Sequence, residues 1–252
     1  AEQLKKAVKK PVFLNCGITD DPKIPDQWIA EGKIDGIAMA RQLFADPFWP
    51  KKAEEGRSED IVPCLRCNYC YHISTVHNNV QCSVNPRFRR ENRVPLRLEK
   101  TDHPKRVVVI GGGPAGLKAA LVAEEKGHVV TLIEKAERLG GTINVADHGG
   151  YKQELKNYRD YLVRQVKKST IQVLLNTQAT PTLVQNLAPE GLILAVGAKP
   201  WLPAIPGIEN AEPVVNAYSH FDTIQGNVII IGGGAIGTEF GLELAENGRE
   251  VT

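Results

Sequence analysis

Four cysteines carry the first chemical signal in this chain: Cys64-x-x-Cys67-x-x-Cys70, then Cys82 after eleven intervening residues. Three thiolates at such intervals fit a loop that curls around a compact body with a corner for each sulfur, as a four-iron cubane supplies. Zinc, which favours two well-separated pairs, and free thiols are the competing readings. Cys16 stands apart at a predicted strand end, where a packed small apolar residue competes with a ligand or nucleophile. A disulfide framework would spread its cysteines along the chain. This cluster, with no apolar signal core near Ala1–Lys5, points to a reducing compartment, and cytoplasm is the expectation.

The second signal is Gly111-x-Gly113-x-x-Gly116, which follows the apolar run Arg106–Ile110 and opens an Ala/Leu-rich stretch. In a strand–turn–helix the first glycine makes the turn, the second admits a pyrophosphate, and the third lets helix and strand pack closely. The helix N-terminus then offers free N–H groups to phosphates. Glu134, at the end of the next predicted strand, suits hydrogen bonds from ribose hydroxyls. The pattern recurs as Gly232-x-Gly234-x-x-Gly237 after Asn227–Ile231, and both copies place a closing glycine, Gly127 and Gly248, at the same offset. Such a repeat predicts two nucleotide-binding units in tandem. Glu239, on the first turn of the second helix, is either an acid favoured by the helix dipole or a nicotinamide contact. NAD and NADP are not distinguished. The six histidines show no metal-ligand spacing and no Ser/His/Asp arrangement stands out, so no catalytic residue is assigned.

These residues need elements to position them. The first 60 residues predict βαβ rhythm: strands over Pro11–Asn15 and Ile34–Met39, with helix over Lys23–Gly32 and in part of Arg41–Gly56. Glu59–Lys100 has little periodicity and reads as a loop around the cysteines followed by a connector. Arg87, Arg89, Arg90, Arg93 and Arg97 in that connector are either a solvated face or a positive lining toward an anionic cofactor. From Arg106 the pattern is parallel α/β: strands at Arg106–Ile110, Val129–Glu134, Ile171–Leu175 and Gly191–Val196, with helices over Leu117–Lys126 and Lys152–Lys168. The Pro-rich stretch Pro200–Pro213 reads as the crossing to the second unit.

Composition agrees with a globular protein. Of 252 residues 42% are apolar and 24% charged, and 31 basic residues face 29 acidic ones. That balance argues against a nucleic-acid binder. No uncharged apolar run reaches the ~18 residues a membrane span needs. Met39 is the only methionine, so the chain is expected to begin inside a larger protein.

A cubane-type cysteine set followed by two glycine fingerprints resembles the NADH:flavin oxidoreductase / 2,4-dienoyl-CoA reductase family, with trimethylamine dehydrogenase and the enoate and bile-acid enone reductases. The resemblance implies a central slice in four parts. Residues 1–60 would end an FMN-binding (β/α)8 barrel, and 61–100 would form the 4Fe-4S loop and connector. Residues 101–225 would form part of a Rossmann-like FAD-binding domain, and 226–252 would begin an NAD(P)-binding domain. It further implies that Gly17, Ile18, Ala40 and Arg41 hold the FMN phosphate and that Cys64, Cys67, Cys70 and Cys82 ligate the cluster. Ala115 and Gly116, with Gly111 and Gly113, would meet the FAD pyrophosphate, and Glu134 its ribose. Gly141 and Thr142, in Gly140-Gly141-Thr142, would form a second phosphate turn, Lys152 a flavin contact and Ala179 the adenine contact. Gly232, Gly234 and Gly237 would serve NAD(P)H.

The activity implied is electron passage from NAD(P)H through FAD and the cluster to FMN, which reduces an activated C=C bond in an enoate or enoyl-CoA-like substrate. An amine dehydrogenase of the trimethylamine type, or a fragment that only transfers electrons, are the alternatives. The proton donor would lie on the barrel upstream. Exposed apolar surface, and with it self-association as a homo-oligomer, is expected.

Overall fold

Arg106–Ile110 is β-branched and apolar throughout, which suits a strand covered on both faces. In the computed structural model, which describes residues 1–15, 17, 21–77, 80–95 and 97–252, this run is the inner strand β3, and its three central valines are buried. Preceding it are β1 (Phe13–Asn15) and β2 (Gly36–Ala38), which pair in parallel with Phe13 opposite Gly36. Helices α1 (Glu2–Ala7), α2 (Lys23–Ala30), α3 (Arg41–Ala45) and α4 (Trp49–Glu54) surround this pair in sequence, and α5 (Tyr69–His77) follows. The βαβ rhythm of the first 60 residues is thus present, as is the partly helical character of Arg41–Gly56.

The central sheet is parallel, in the order β5–β4–β3–β6, where β4 is Val129–Ile133, β5 is Gln172–Leu174 and β6 is Gly191–Leu194. Between β3 and β4 runs α6 (Pro114–Glu125). After β4 come α7 (Ile143–Ala146) and α8 (Gln153–Lys168), and α9 (Pro181–Asn186) precedes β6. Leu117 and Ala120 of α6 pack with Val107 and Val109 of β3, Leu132 of β4 and Tyr158, Leu162 and Val166 of α8 in one core. Val84, Cys64, Leu65 and Cys82 join the same core, so the cysteine segment is packed onto the α/β unit rather than tethered to it. At the sheet edge, β6 alternates, and Leu192 and Leu194 face outward.

A smaller core gathers Ala217, Phe221, Phe240 and Leu244 from α10 (Val214–Ala217), the 3-10 turn Tyr218–Thr223 and α11 (Ala235–Glu246). It lies beside a parallel pair, β7 (Asn227–Val228) and β8 (Glu250–Val251).

Two expectations are corrected. Glu59–Lys100 is not continuous loop: Tyr69–His77 is helical, and Cys70 lies on its first turn. The weakly amphipathic sequence there hid the helix. The strand expected over Asn227–Ile231 is shorter, Asn227–Val228, although Ile230 N–H still donates to the Thr252 carbonyl beside β8; Ile229 and Ile231 are exposed. Among the described residues no helix is long and apolar enough to cross a membrane.

Candidate functional site

Gly111 has φ +106°, and a Cβ there would stand 2.2 Å from the Ala195 carbonyl oxygen. The turn after β3 therefore needs glycine both for its backbone and for the approach of the β6 end. A Cβ on Gly116 would stand 1.8 Å from the Gly111 carbonyl oxygen, so the third glycine is set by helix–strand packing. Gly113 differs: its nearest neighbour would be the Gly141 Cα at 3.8 Å. The two glycine turns, after β3 and at Gly140–Thr142, are in close contact: Gly140 N–H donates to the Gly112 carbonyl at 2.8 Å, and a Cβ on Gly141 would stand 2.8 Å from the Gly113 Cα.

Together the two turns form part of the wall of a cavity of ≈ 870 Å³ lined by Gly111, Gly113 and Ala115, by Glu134, by Gly141 and Thr142, and by Ala179. Residues predicted from separate stretches of sequence meet on one surface. Glu134 is buried, and its two oxygens are aligned by the backbone: Gly112 N–H donates at 2.6 Å and Ala136 N–H at 2.8 Å. Thr177 N–H donates to the Glu134 carbonyl, which brings the Asn176–Thr180 segment, and with it Ala179, to the same wall. A carboxylate at the strand end, a helix N-terminus and two glycine turns are the recognition set for a dinucleotide.

The second fingerprint has the same local geometry. Gly234 (φ −77°, ψ 175°) is the N-cap of α11 as Gly113 (φ −76°, ψ −180°) is of α6, and a Cβ on Gly237 would stand 2.2 Å from the Gly232 carbonyl oxygen. Gly232 and Gly234 have nothing within 4 Å of the position a Cβ would take.

Lys152 does not line the large cavity. Its Nζ donates to Glu239 Oε2 at 2.6 Å, which ties the segment before α8 to α11. Glu239, expected on the first turn of that helix, lies just beyond it, because α11 begins at Ala235. One helical turn further along, His148 meets the buried Glu243 carboxylate. The Tyr218 phenol beside it is pushed up, chiefly by burial and then by the Glu243 charge.

The four predicted cysteines converge. Cys64, Cys67, Cys70 and Cys82 line one small, largely apolar cavity with Arg41, Phe44 and Asn68. Arg66 and Asn68, which flank Cys67, both have left-handed backbones (φ 51° and 54°), and these two turns curl the loop. Burial pushes the Cys64 and Cys82 thiols up, and the neighbouring thiols push the same way. Backbone N–H groups oppose this: Arg66 donates to the Cys64 sulfur, and Val84 and Asn85 donate to the Cys82 sulfur. Among the described residues no group of three or more His, Cys, Asp or Glu is set to hold a metal ion. The quartet lines one cavity. In donor type and convergence the four thiols, with their N–H donors, fit a metal–sulfur group.

Beside it lies a second small cavity, lined by Asn15, Gly17, Ala40, Arg41, Gln42, Cys64 and Arg66. Gly17, Ala40 and Arg41 are therefore together, at the C-terminal ends of the parallel pair β1–β2; Ile18 and Cys16 lie outside the described residues. Sequence reasoning missed Gln42. Its buried amide donates to the Val62 carbonyl (2.8 Å) and accepts from Cys64 N–H (3.1 Å), pairing with the chain that leads into the cysteines. Nothing in its type or spacing signals that role. Of the connector arginines, Arg87 pairs with Glu125 and Arg97 lies over the Phe48 ring; none lines either small cavity.

Residues 105–252 match the family model of pyridine nucleotide-disulphide oxidoreductases, and residues 1–60 that of the NADH:flavin oxidoreductase / NADH oxidase family. The chain is 37% identical to the NADH oxidase of Thermoanaerobacter brockii, over 100% of this chain and 40% of that protein. Among solved structures it is similar to a 2-naphthoyl-CoA reductase, with TM-score 0.90 and 34% identity over 99% of this chain and 38% of the other. The histamine dehydrogenase of Rhizobium sp. 4-9 also shares the fold, with TM-score 0.85 and 25% identity over 98% of this chain and 39% of the other. The chain thus spans about two fifths of the length of the relatives it matches.

Proposed function

This chain belongs to the pyridine nucleotide-disulphide oxidoreductase family, and from that premise we propose that it is the electron-relay segment of an NAD(P)H-dependent flavin and iron–sulfur oxidoreductase. The substrate class is a small molecule with an activated C=C bond, an enoate or an enoyl-CoA-like thioester. The carrying observation is the ≈ 870 Å³ cavity in which two glycine turns, the α6 N-terminus and the buried Glu134 face one volume. Residues 101–225 are assigned to FAD and 226–252 to the start of the nicotinamide-nucleotide unit. Residues 61–100 are assigned to the cluster loop, and 1–60 to the end of an FMN-binding barrel.

In this reading the chain's residues bind and orient. Gly113 and Gly141, on two adjoining backbone turns of the cavity wall, would let a pyrophosphate approach the backbone. Glu134, already aligned by two N–H groups, accepts from ribose. Ala179 would back the adenine, and Lys152, which pairs with Glu239 outside the large cavity, is assigned a flavin contact. Gly232 and Gly234 leave the second turn open to NAD(P)H, and Gly237 lets α11 pack against that turn. Cys64, Cys67, Cys70 and Cys82 would hold a 4Fe-4S cluster, and Gly17, Ala40 and Arg41 the FMN phosphate. When bound, these groups supply the two-electron and one-electron chemistry that side chains lack. No residue of this chain is assigned as the proton donor.

The test uses the intact protein, purified without oxygen. NADH or NADPH should bleach the flavin absorbance, and an enoate or enoyl-CoA should restore it, with about four iron and four labile sulfide per chain. Bleaching by a secondary or tertiary amine, with none by either nicotinamide, would replace this reading by an amine dehydrogenase.

A further inference from the structure

The two small cavities share a wall, and one side chain spans it. Arg41 lines both the four-cysteine cavity and the cavity of Gly17 and Ala40. Its Nη1 donates to the Asn68 side-chain oxygen at 2.5 Å. Asn68 lies inside the cysteine loop, between Cys67 and Cys70, and its left-handed backbone turns the chain there. Among the described residues no carboxylate pairs with Arg41, so the Asn68 oxygen is its anchor. The neighbouring residue, Gln42, clamps the chain at Cys64. Two consecutive residues of α3 thus hold the cysteine loop at both ends of its first turn.

We infer that Asn68 is a positioning residue that couples the two cavities: an ordered cysteine loop holds the Arg41 guanidinium in place for a phosphate. This rests on the cofactor assignment above. If filling the cysteine cavity orders Asn68, it strengthens phosphate binding beside Arg41, and by reciprocity the phosphate strengthens retention of what the cysteines hold. The ligand on one side is a phosphomonoester, the FMN phosphate in the reading adopted here. Asn suits the position for two reasons. It tolerates a left-handed backbone, and its short side chain carries an acceptor matched to a guanidinium.

The experiment measures FMN and riboflavin affinity by flavin fluorescence in the intact protein, before and after iron is removed with a chelator. Riboflavin lacks the phosphate and reports on the rest of the site. The variant is Asn68→Gly, since glycine keeps the left-handed turn and removes only the acceptor. Wild-type protein should lose about 5–30-fold in FMN affinity on iron removal, the range of ordinary site–site coupling, and little in riboflavin affinity. Asn68→Gly should keep its iron, bind FMN about as weakly as the stripped wild type whether or not iron is present, and bind riboflavin normally. Equal FMN affinity in variant and wild type, or an equal loss for FMN and riboflavin, overturns the coupling. Failure of iron-replete wild type to bind FMN at all would instead sink the flavin assignment.

Discussion

Gly113 and Gly116 lie three positions apart, and a methyl group would meet very different surroundings at each. On Gly116 it would stand 1.8 Å from a carbonyl oxygen, whereas on Gly113 nothing protein-borne lies nearer than 3.8 Å. Gly113 also has an ordinary extended backbone that alanine adopts without strain. Gly116→Ala should therefore cost at least ~3 kcal/mol of stability, above the usual range for overpacking because backbone atoms cannot yield. Gly113→Ala should stay within ~0.5 kcal/mol of wild type. It should nonetheless weaken FAD at least tenfold, since the methyl would add bulk beside Gly141 on the cavity wall assigned to the pyrophosphate. Urea unfolding and FAD titration on both variants decide the matter, and normal FAD affinity in Gly113→Ala would remove the pyrophosphate from this turn.

At the scale of elements, α8 links the cysteine loop to the sheet. Its apolar stripe, Tyr158, Leu162 and Val166, enters the main core, while Glu154 reaches Arg66 and Lys168 reaches Glu59 and Asp60. Burial, and then the nearby Cys82, pushes the Tyr158 phenol up to about 12 from its ordinary value of 10. The neutral phenol is the form the fold favours. The unfolded chain loses this proton first, so the contribution of Tyr158 is complete below pH ~10 and disappears as pH rises toward ~12. Over that window stability should fall by roughly 2 kcal/mol through this residue alone. Tyr158→Phe should make the urea midpoint less steep between pH 9.5 and 11.5; an unchanged slope would mean that the phenol is solvated in the folded protein. The helical period of α8 was plain in the sequence because one face is apolar over four turns. The helix at Tyr69–His77 was not, because its apolar residues do not keep to one face and its packing partners lie elsewhere in the chain.

In the whole molecule, two contacts hold the segment His148–Lys152 against α11: Lys152 with Glu239, and His148 with Glu243. Both pairs repeat at four residues, so one face of α11 is held at two successive turns. Glu243 is buried beside the Tyr218 phenol, and among the described residues its Oε2 lacks a partner in full hydrogen-bond geometry. Removing His148 would leave that carboxylate with still less compensation. His148→Ala should thus cost about 1–3 kcal/mol, concentrated in the unit of residues 214–252. Amide exchange at Phe240 and Leu244 should quicken while exchange at Val109 and Leu132 holds; uniform protection across both cores would show that the contact does not dock the units. Outward-facing apolar side chains, among them Leu194, Val196, Trp201, Ile229 and Ile231, match the expected exposed surface.

The sequence by itself determined the parts whose physics is local. Glycine spacing after a β-branched run, an acid at the next strand end and a tight cysteine cluster all act within a few residues of backbone. Each was legible, and the repeat of the first fingerprint at Gly232 was too. The tertiary structure decided what depends on the chain's path. It placed Ala179 and Thr142 on the wall that holds Glu134, paired Lys152 with a glutamate 87 residues away, and set Arg41 between two cavities with Asn68 as its anchor. A hydrogen bond between residues distant in sequence leaves no periodic trace, because either partner alone is an ordinary polar side chain. Only the packing of α3 and α8 around the cysteine loop brings such partners within reach.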